Sequence, residues 1–240
     1  MEVTETAKQS TPLRRRAAAR APVEAERRWL MTADAGARTH LILAHGAGAP
    51  MTSPFLSRMA GMIASKGVTV HRFDFPYMQA RANGGPRCPP PRAETLVSDY
   101  CHAVAQCRAR IGEQARLLIG GKSMGGRVAC LAATDLACVH SIAGIVVIGY
   151  PLVPPRQTGG NRGRIIQQLT IPTLIVQGTR DPFGGHAVFR ALDLPENVHM
   201  RWIEDGDHDL KPRRSTGVTH DAALEEAAQA IADFCERVEC

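Results

Sequence analysis

Short runs of β-branched and aliphatic residues alternate along this chain with longer stretches in which apolar positions recur at helical spacing. Runs at 28–32, 40–44, 68–73, 116–120, 144–148, 173–177 and 199–203 predict strands. The middle ones are almost continuously apolar, as strands covered on both faces are. Stretches at 55–66, 94–111, 123–136, 185–192 and 221–238 predict helices, and Gly67 and Gly112 stand where a glycine closes a helix. Alternation of this kind predicts an α/β fold: a mostly parallel, twisted sheet of about seven strands with helices on both faces. Residues 79–92, rich in Pro, Gly and Arg, predict a surface loop.

At 240 residues the chain is long enough for one substantial core. Residues 1–25 are expected to form a disordered basic tail, with Arg14, Arg15 and Arg16 at its centre, ahead of a single domain over 26–240. No apolar h-region of about 7 to 15 residues follows that cluster, as a secretory signal would require. Nor does any run reach the roughly 18 to 20 apolar residues of a membrane span. The net charge of +6 owes much to the tail and to Arg213 and Arg214, so it bears on encounter and solubility more than on chemistry. Neither a nucleic-acid nor a membrane partner is expected. The seven cysteines contain no C-x-x-C pair, which predicts reduced thiols in a cytoplasmic protein and no zinc site.

The strongest chemical signal lies at mid-chain. An apolar run leads into Gly121-Lys122-Ser123-Met124-Gly125-Gly126, a match to the G-x-S-x-G nucleophile elbow. Such an elbow needs a sharp strand-to-helix turn, with glycines at Gly121 and Gly125 because the backbones come close together. A helix beginning at Ser123 would aim its first amides at a developing oxyanion. The same letters imitate the end of a phosphate-binding loop, G-x-x-x-x-G-K-[ST]. That pattern demands glycine at position 116, where this chain has Arg116.

Other parts of an acyl-transfer site follow in order. His45-Gly46-Ala47-Gly48 after the second strand is placed to supply an oxyanion amide, so the amides of Ala47 and Met124 are the candidate pair, with His45 a structural hydrogen-bonder. Asp181 follows the sixth strand and a glycine turn, and His208 follows the seventh. The order Ser123, Asp181, His208 assigns nucleophile, orienting acid and general base. Glu204, Asp205, Asp207 and Asp209 surround His208 as rival carboxylates, while His186 and His220 are weaker candidates for the base because neither directly follows a strand. Lys122 and Arg127 flank the serine and are expected to pair with nearby carboxylates or to be partly solvated. No cofactor or metal is called for.

The segments LILAHGAGAPMTSPF, VHRFDFPY, LIGGKSMGGRVA, TLIVQGTRDPFG and EDGDHDL together resemble the small, lidless α/β-hydrolases related to dienelactone hydrolases, and more narrowly the KANL/Tex-type hydrolase-like family. The resemblance covers roughly residues 38–238. It implies an α/β-hydrolase sheet and carries the triad roles to Ser123, Asp181 and His208, with Ala47 and Met124 as oxyanion donors. Many hydrolases of this fold insert a lid after the fifth strand; residues 151–172 are too few for one, so an open site is expected. The nucleophile departs from dienelactone hydrolases, which use cysteine. Two functions stand against each other at this point. One is a serine hydrolase acting on an ester or thioester of a small acyl substrate. The other is a vestigial hydrolase-like interaction module, suggested by the basic tail and by members of the narrower family that serve in chromatin complexes.

Overall fold

A computed structural model of the chain describes residues 27–33, 36–134, 138, 142–153 and 162–238; the tail expected over 1–25 lies outside them. Seven strands form one sheet in the order β1-β3-β2-β4-β5-β6-β7. They are β1 (Trp29–Thr32), β2 (Thr39–Ala44), β3 (Val68–Phe73), β4 (Arg116–Lys122), β5 (Gly144–Ile148), β6 (Thr173–Gly178) and β7 (Val198–Ile203). Only β1 runs antiparallel, against β3; every other pairing is parallel. The expected α/β-hydrolase sheet, mostly parallel and covered by helices, is what the chain forms.

Alternate residues of the central strands feed two separate cores. Ile42, Ile119, Ile145 and Val147 point to one face with Tyr100, Val104 and Val128. Leu41, Leu43, Leu118 and Val146 point to the other with Leu56, Ile63, Leu224 and Ile231. A period of two with both phases apolar is why these strands read as continuous apolar runs. The first face is covered by α3 (Val97–Ile111) and α4 (Met124–Ala132), the second by α1 (Pro54–Ala64) and the terminal helix (His220–Arg237).

Three elements differ from the sequence reading. Strand β4 runs to Lys122 rather than stopping at Gly120, because Gly121 and Lys122 still pair with Val147 and Ile148. Helix α4 begins at Met124, not at Ser123, and is described only to Ala132. Part of the expected loop over 79–92 is helical: α2 spans Pro76–Ala82, started by a proline in its first turn and anchored by buried Met78. The remaining short helices are α5 (Arg162–Gln167) and α6 (His186–Arg190), so the terminal helix is α7. Helix α5 is the brief helical stretch expected near Ile165.

Cys88, Cys107, Cys130 and Cys235 are free thiols, and burial pushes Cys107 up to about 11 and Cys130 and Cys235 up to about 12. Among the described residues, no helix is long and apolar enough to cross a membrane.

One buried pair has a consequence for stability. On β3, His71 Nε2 lies 3.0 Å from His40 Nδ1 on β2, under the edge of Trp29. Burial, then the neighbouring His40 and Arg110, lowers the pKa of His71 to about 4. The unfolded chain therefore binds a proton that the folded chain refuses across the window from about 6.5 down to about 4. Stability is complete above pH 6.5 and falls as the pH drops through that window, by about 2–3 kcal/mol from this residue. Urea midpoints at pH 7 and pH 4.5 should show the loss, and His71→Phe should reduce it.

Candidate active site

The site stands at the carboxyl ends of β2, β4, β6 and β7, where the turns leaving these strands meet on one edge of the sheet. Its centre is the turn between β4 and α4. Ser123 has φ 53° and ψ −115°, a conformation that side-chain-bearing residues rarely hold and that costs on the order of 1–3 kcal/mol. Two contacts hold it there: its amide donates to the Ile148 carbonyl at 2.8 Å, and its carbonyl accepts from the Arg127 amide at 3.0 Å. The glycines permit the approach that this turn demands. A Cβ on Gly121 would stand 2.6 Å from the Gly125 carbonyl carbon and 2.8 Å from the Ala44 oxygen. One on Gly125 would stand 2.5 Å from the His45 oxygen. The elbow is thus wedged against the loop that leaves β2.

That loop is fixed by His45, which is fully buried. Its Nε2 accepts the Phe75 amide proton at 3.1 Å, which makes Nδ1 the protonated nitrogen, donating to the Gly46 carbonyl at 2.6 Å. Burial holds its pKa below the usual histidine value, so the ring serves as a neutral two-ended tie. Tyr77 on α2 adds a second tie, its hydroxyl donating to the Ala47 carbonyl at 3.0 Å. Among the described residues, neither the Ala47 amide nor the Met124 amide has a hydrogen-bond partner. Both belong to the turns beside Ser123.

The other two predicted residues join the serine in a chain of bonds, His208 directly and Asp181 through His208. His208 Nε2 lies 2.9 Å from Ser123 Oγ, and His208 Nδ1 lies 2.8 Å from Asp181 Oδ2. Asp181 is buried, and its Oδ1 accepts the Phe183 amide at 2.8 Å. The ring of Phe183 stands edge-on to the imidazole at 4.6 Å. Behind His208, Gly149 sits at φ 67°, and a Cβ there would press on the imidazole at 3.3 Å. The loops that carry Asp181 and His208 are laced together, with the Arg180 amide donating to the Gly206 carbonyl at 2.9 Å.

Of the rivals, Glu204 is exposed on the turn after β7, and the others are engaged elsewhere. Asp205 is buried and takes the Arg213 amide at 2.6 Å and Arg213 Nε at 2.8 Å. Asp207 accepts the amides of Asp209 and Lys211, shaping the turn. Exposed Asp209 pairs with Lys122. His220 holds the Asp209 carbonyl from α7, and His186 packs against Trp202. Arg127 pairs with Glu94, as expected of it.

Gln177, a residue the sequence reading passed over, is fully buried at the end of β6. Its Nε2 donates to Asp181 Oδ2 at 2.8 Å and to the Gly184 carbonyl at 3.0 Å, while its Oε1 takes the Tyr150 amide at 2.7 Å. Asp181 Oδ2 therefore receives two donors, one from Gln177 and one facing it from His208. A single amide side chain inside the apolar run TLIVQG was the available signal: a buried amide must find partners.

Ser123 and His208 open into a cleft of about 450 Å³ whose walls include Gly46, Phe55, Lys122 and Phe183. A neighbouring cavity of about 580 Å³, reaching to Arg81 and Arg87, shares Gly48 with it.

A glycine-flanked serine elbow on such a sheet, with a carboxylate and a histidine on the turns after the last two strands, is the arrangement of the α/β-hydrolase class. The chain belongs to the alpha/beta hydrolase domain family, whose model matches residues 37–236. Solved structures share the fold at low identity. A dienelactone hydrolase from Anabaena variabilis is 17% identical, covering 91% of this chain and 94% of its own, with a TM-score of 0.71. An esterase from Pyrococcus furiosus is 15% identical, with coverage of 89% and 91% and a TM-score of 0.64. A serine hydrolase without lid from Xanthomonas campestris is 18% identical, with coverage of 81% and 82% and a TM-score of 0.58.

The elbow's steric demand can be checked by substitution. Gly125→Ala should destabilise the fold by about 3 kcal/mol or more, because the backbone of Ala44 and His45 stands 2.5–2.9 Å from the new methyl group and cannot give way as a side chain would. Gly48→Ala, with nothing within 4 Å of its Cβ position, should stay within about 1 kcal/mol of wild type. Denaturant midpoints for the pair check this.

Proposed function

We propose that this chain is a serine hydrolase that cleaves an ester or thioester of a small, accessible acyl substrate through an acyl-enzyme. The observation that carries the reading is the unbroken bond sequence from Ser123 Oγ through both nitrogens of His208 to Asp181. Ser123 Oγ adds to the acyl carbon while His208 Nε2 takes its proton. The carbonyl oxygen, now negative, meets the Ala47 and Met124 amides; one such donor is typically worth about 3–4 kcal/mol in the transition state. His208 returns the proton to the departing alcohol or thiol. Water then repeats the sequence on the acyl-enzyme, releasing the acid and restoring the serine. Asp181, held by Gln177, keeps the imidazole tautomer that presents Nε2 to the serine.

The substrate's small size is supported by the modest cleft and by the short segment between β5 and β6. The free thiols favour a reducing, cytoplasmic setting for the enzyme. Within the family, GGKSMGG and EDGDHDL support a kinship with the KANL/Tex-type proteins. The vestigial alternative has no observation in its favour, since nucleophile, base and acid are all present and bonded.

A fluorophosphonate probe should label the wild-type protein and leave Ser123→Ala unlabelled. Hydrolysis of short p-nitrophenyl esters should fall by about 10⁴-fold or more in that variant. A wild type inert to both reagents would refute the proposal. Gln177→Ala should lower kcat about tenfold with KM within about twofold, because it loosens Asp181 without touching the cleft. Equal losses in folded yield and in activity would instead mark Gln177 as structural only.

A further inference from the structure

Lys122 ends β4 one residue before Ser123 and is only 6% exposed, yet it forms part of the cleft wall beside Ser123 and His208. Its ammonium is surrounded by other wall residues. Nζ lies 3.3 Å from Asp209 Oδ1 and 5.4 Å from the centre of the Phe55 ring. Burial pulls its pKa below the usual lysine range, opposed by Asp209 first and then by Asp181 and Asp207. Removing an ammonium from water costs several kcal/mol, which a methionine or leucine at this position would avoid.

Its partner offsets that cost poorly. The Asp209 side chain is 64% exposed on the rim, where water and salt screen its attraction. An ammonium carries three donors, and Asp209 is its one carboxylate partner within 4 Å among the described residues. The first turn of α1, Ser53–Leu56, forms another part of the same wall. That turn contains no acidic residue, and the positive end of a helix dipole favours an anion nearby. The cleft thus holds a sunken cation with a displaceable rim carboxylate, next to a nucleophile that needs neither.

We infer that Lys122 binds a carboxylate carried by the acyl portion of the substrate, so that the preferred substrates are short esters or thioesters of dicarboxylic acids. The inference rests on the hydrolase reading for its chemistry. Asp209 pairs with the ammonium, and a substrate carboxylate displaces it or shares the remaining donors. Lys122 determines specificity and takes no proton in the reaction.

The test compares kcat/KM for p-nitrophenyl hydrogen glutarate with that for p-nitrophenyl valerate, two esters of equal chain length that differ in charge. Wild type should favour the charged ester by about tenfold or more. In Lys122→Met that ratio should fall to about one or below, whichever way the absolute rates move. In Asp209→Asn it should rise, because the internal competitor is gone. Loss of both rates in proportion in Lys122→Met, a wild type without preference, or a falling ratio in Asp209→Asn would each overturn the inference. Should Lys122→Met fail to fold, Lys122→Gln and the Asp209→Asn ratio decide the matter.

A binding arm separates this inference from the hydrolase reading. Monomethyl glutarate should bind Ser123→Ala protein in calorimetry, and at least about tenfold more weakly when Lys122→Met is added. Labelling by the fluorophosphonate without such binding refutes the carboxylate site alone. Binding without labelling refutes the hydrolase reading alone.

Discussion

Everything at this site depends on how closely two turns approach each other. The backbone leaving β4 at Gly121 to Gly125 lies against the backbone leaving β2 at Ala44 and His45, with no room between them for a single methyl group. That contact forces Ser123 into its positive φ, sends α4 off the sheet at Met124, and brings the Met124 and Ala47 amides beside the same serine. The strain is sustained by neighbours rather than by the turn itself: Ile148 and Arg127 hold the Ser123 backbone, and His45 and Tyr77 hold the facing loop. A neutral imidazole suits the facing loop because it can accept from one backbone group and donate to another while buried.

Asp181 and His208 are positioned by a different device. Asp181 sits on the turn after β6 and His208 on the turn after β7, and these strands are neighbours in the sheet. Parallel pairing brings both turns to the same edge, where the Arg180–Gly206 bond laces them together. Gln177 then secures the carboxylate from beneath, and Gly149 leaves space for the ring above β5. Precision comes from side chains rooted in strands, with the loops contributing only short tethers.

The parts legible in the sequence were those whose signal is local. Seven apolar runs marked seven strands because both phases of each central strand are buried, and the elbow announced itself through glycines that steric contact requires. Ser123, Asp181 and His208 were readable because chain order in a parallel sheet translates directly into adjacency. What escaped was decided by partners distant in the chain. Residues 79–82 read as loop because arginine, glycine and proline crowd the segment, yet Met78 is buried and Tyr77 ties α2 to the Ala47 carbonyl in the loop after β2. Gln177 read as the polar end of a strand, since its partner at Tyr150 lies far from it in sequence. Lys122 was legible as a flanking cation but not as a buried one, for its burial is set by the loops that fold over it.

The bonds that join the three residues span 85 positions from Ser123 to His208 and 27 from Asp181 to His208. Such separations carry a loop-closure cost that only a completed sheet can offset, and long-range pairing of parallel strands forms late. The site therefore has no local precursor: no fragment of the chain holds two of its members in register. The Ser123–His208–Asp181 arrangement is a property of the finished tertiary fold. Its formation during refolding would report the docking of the last two strands, a step that helix content alone does not register.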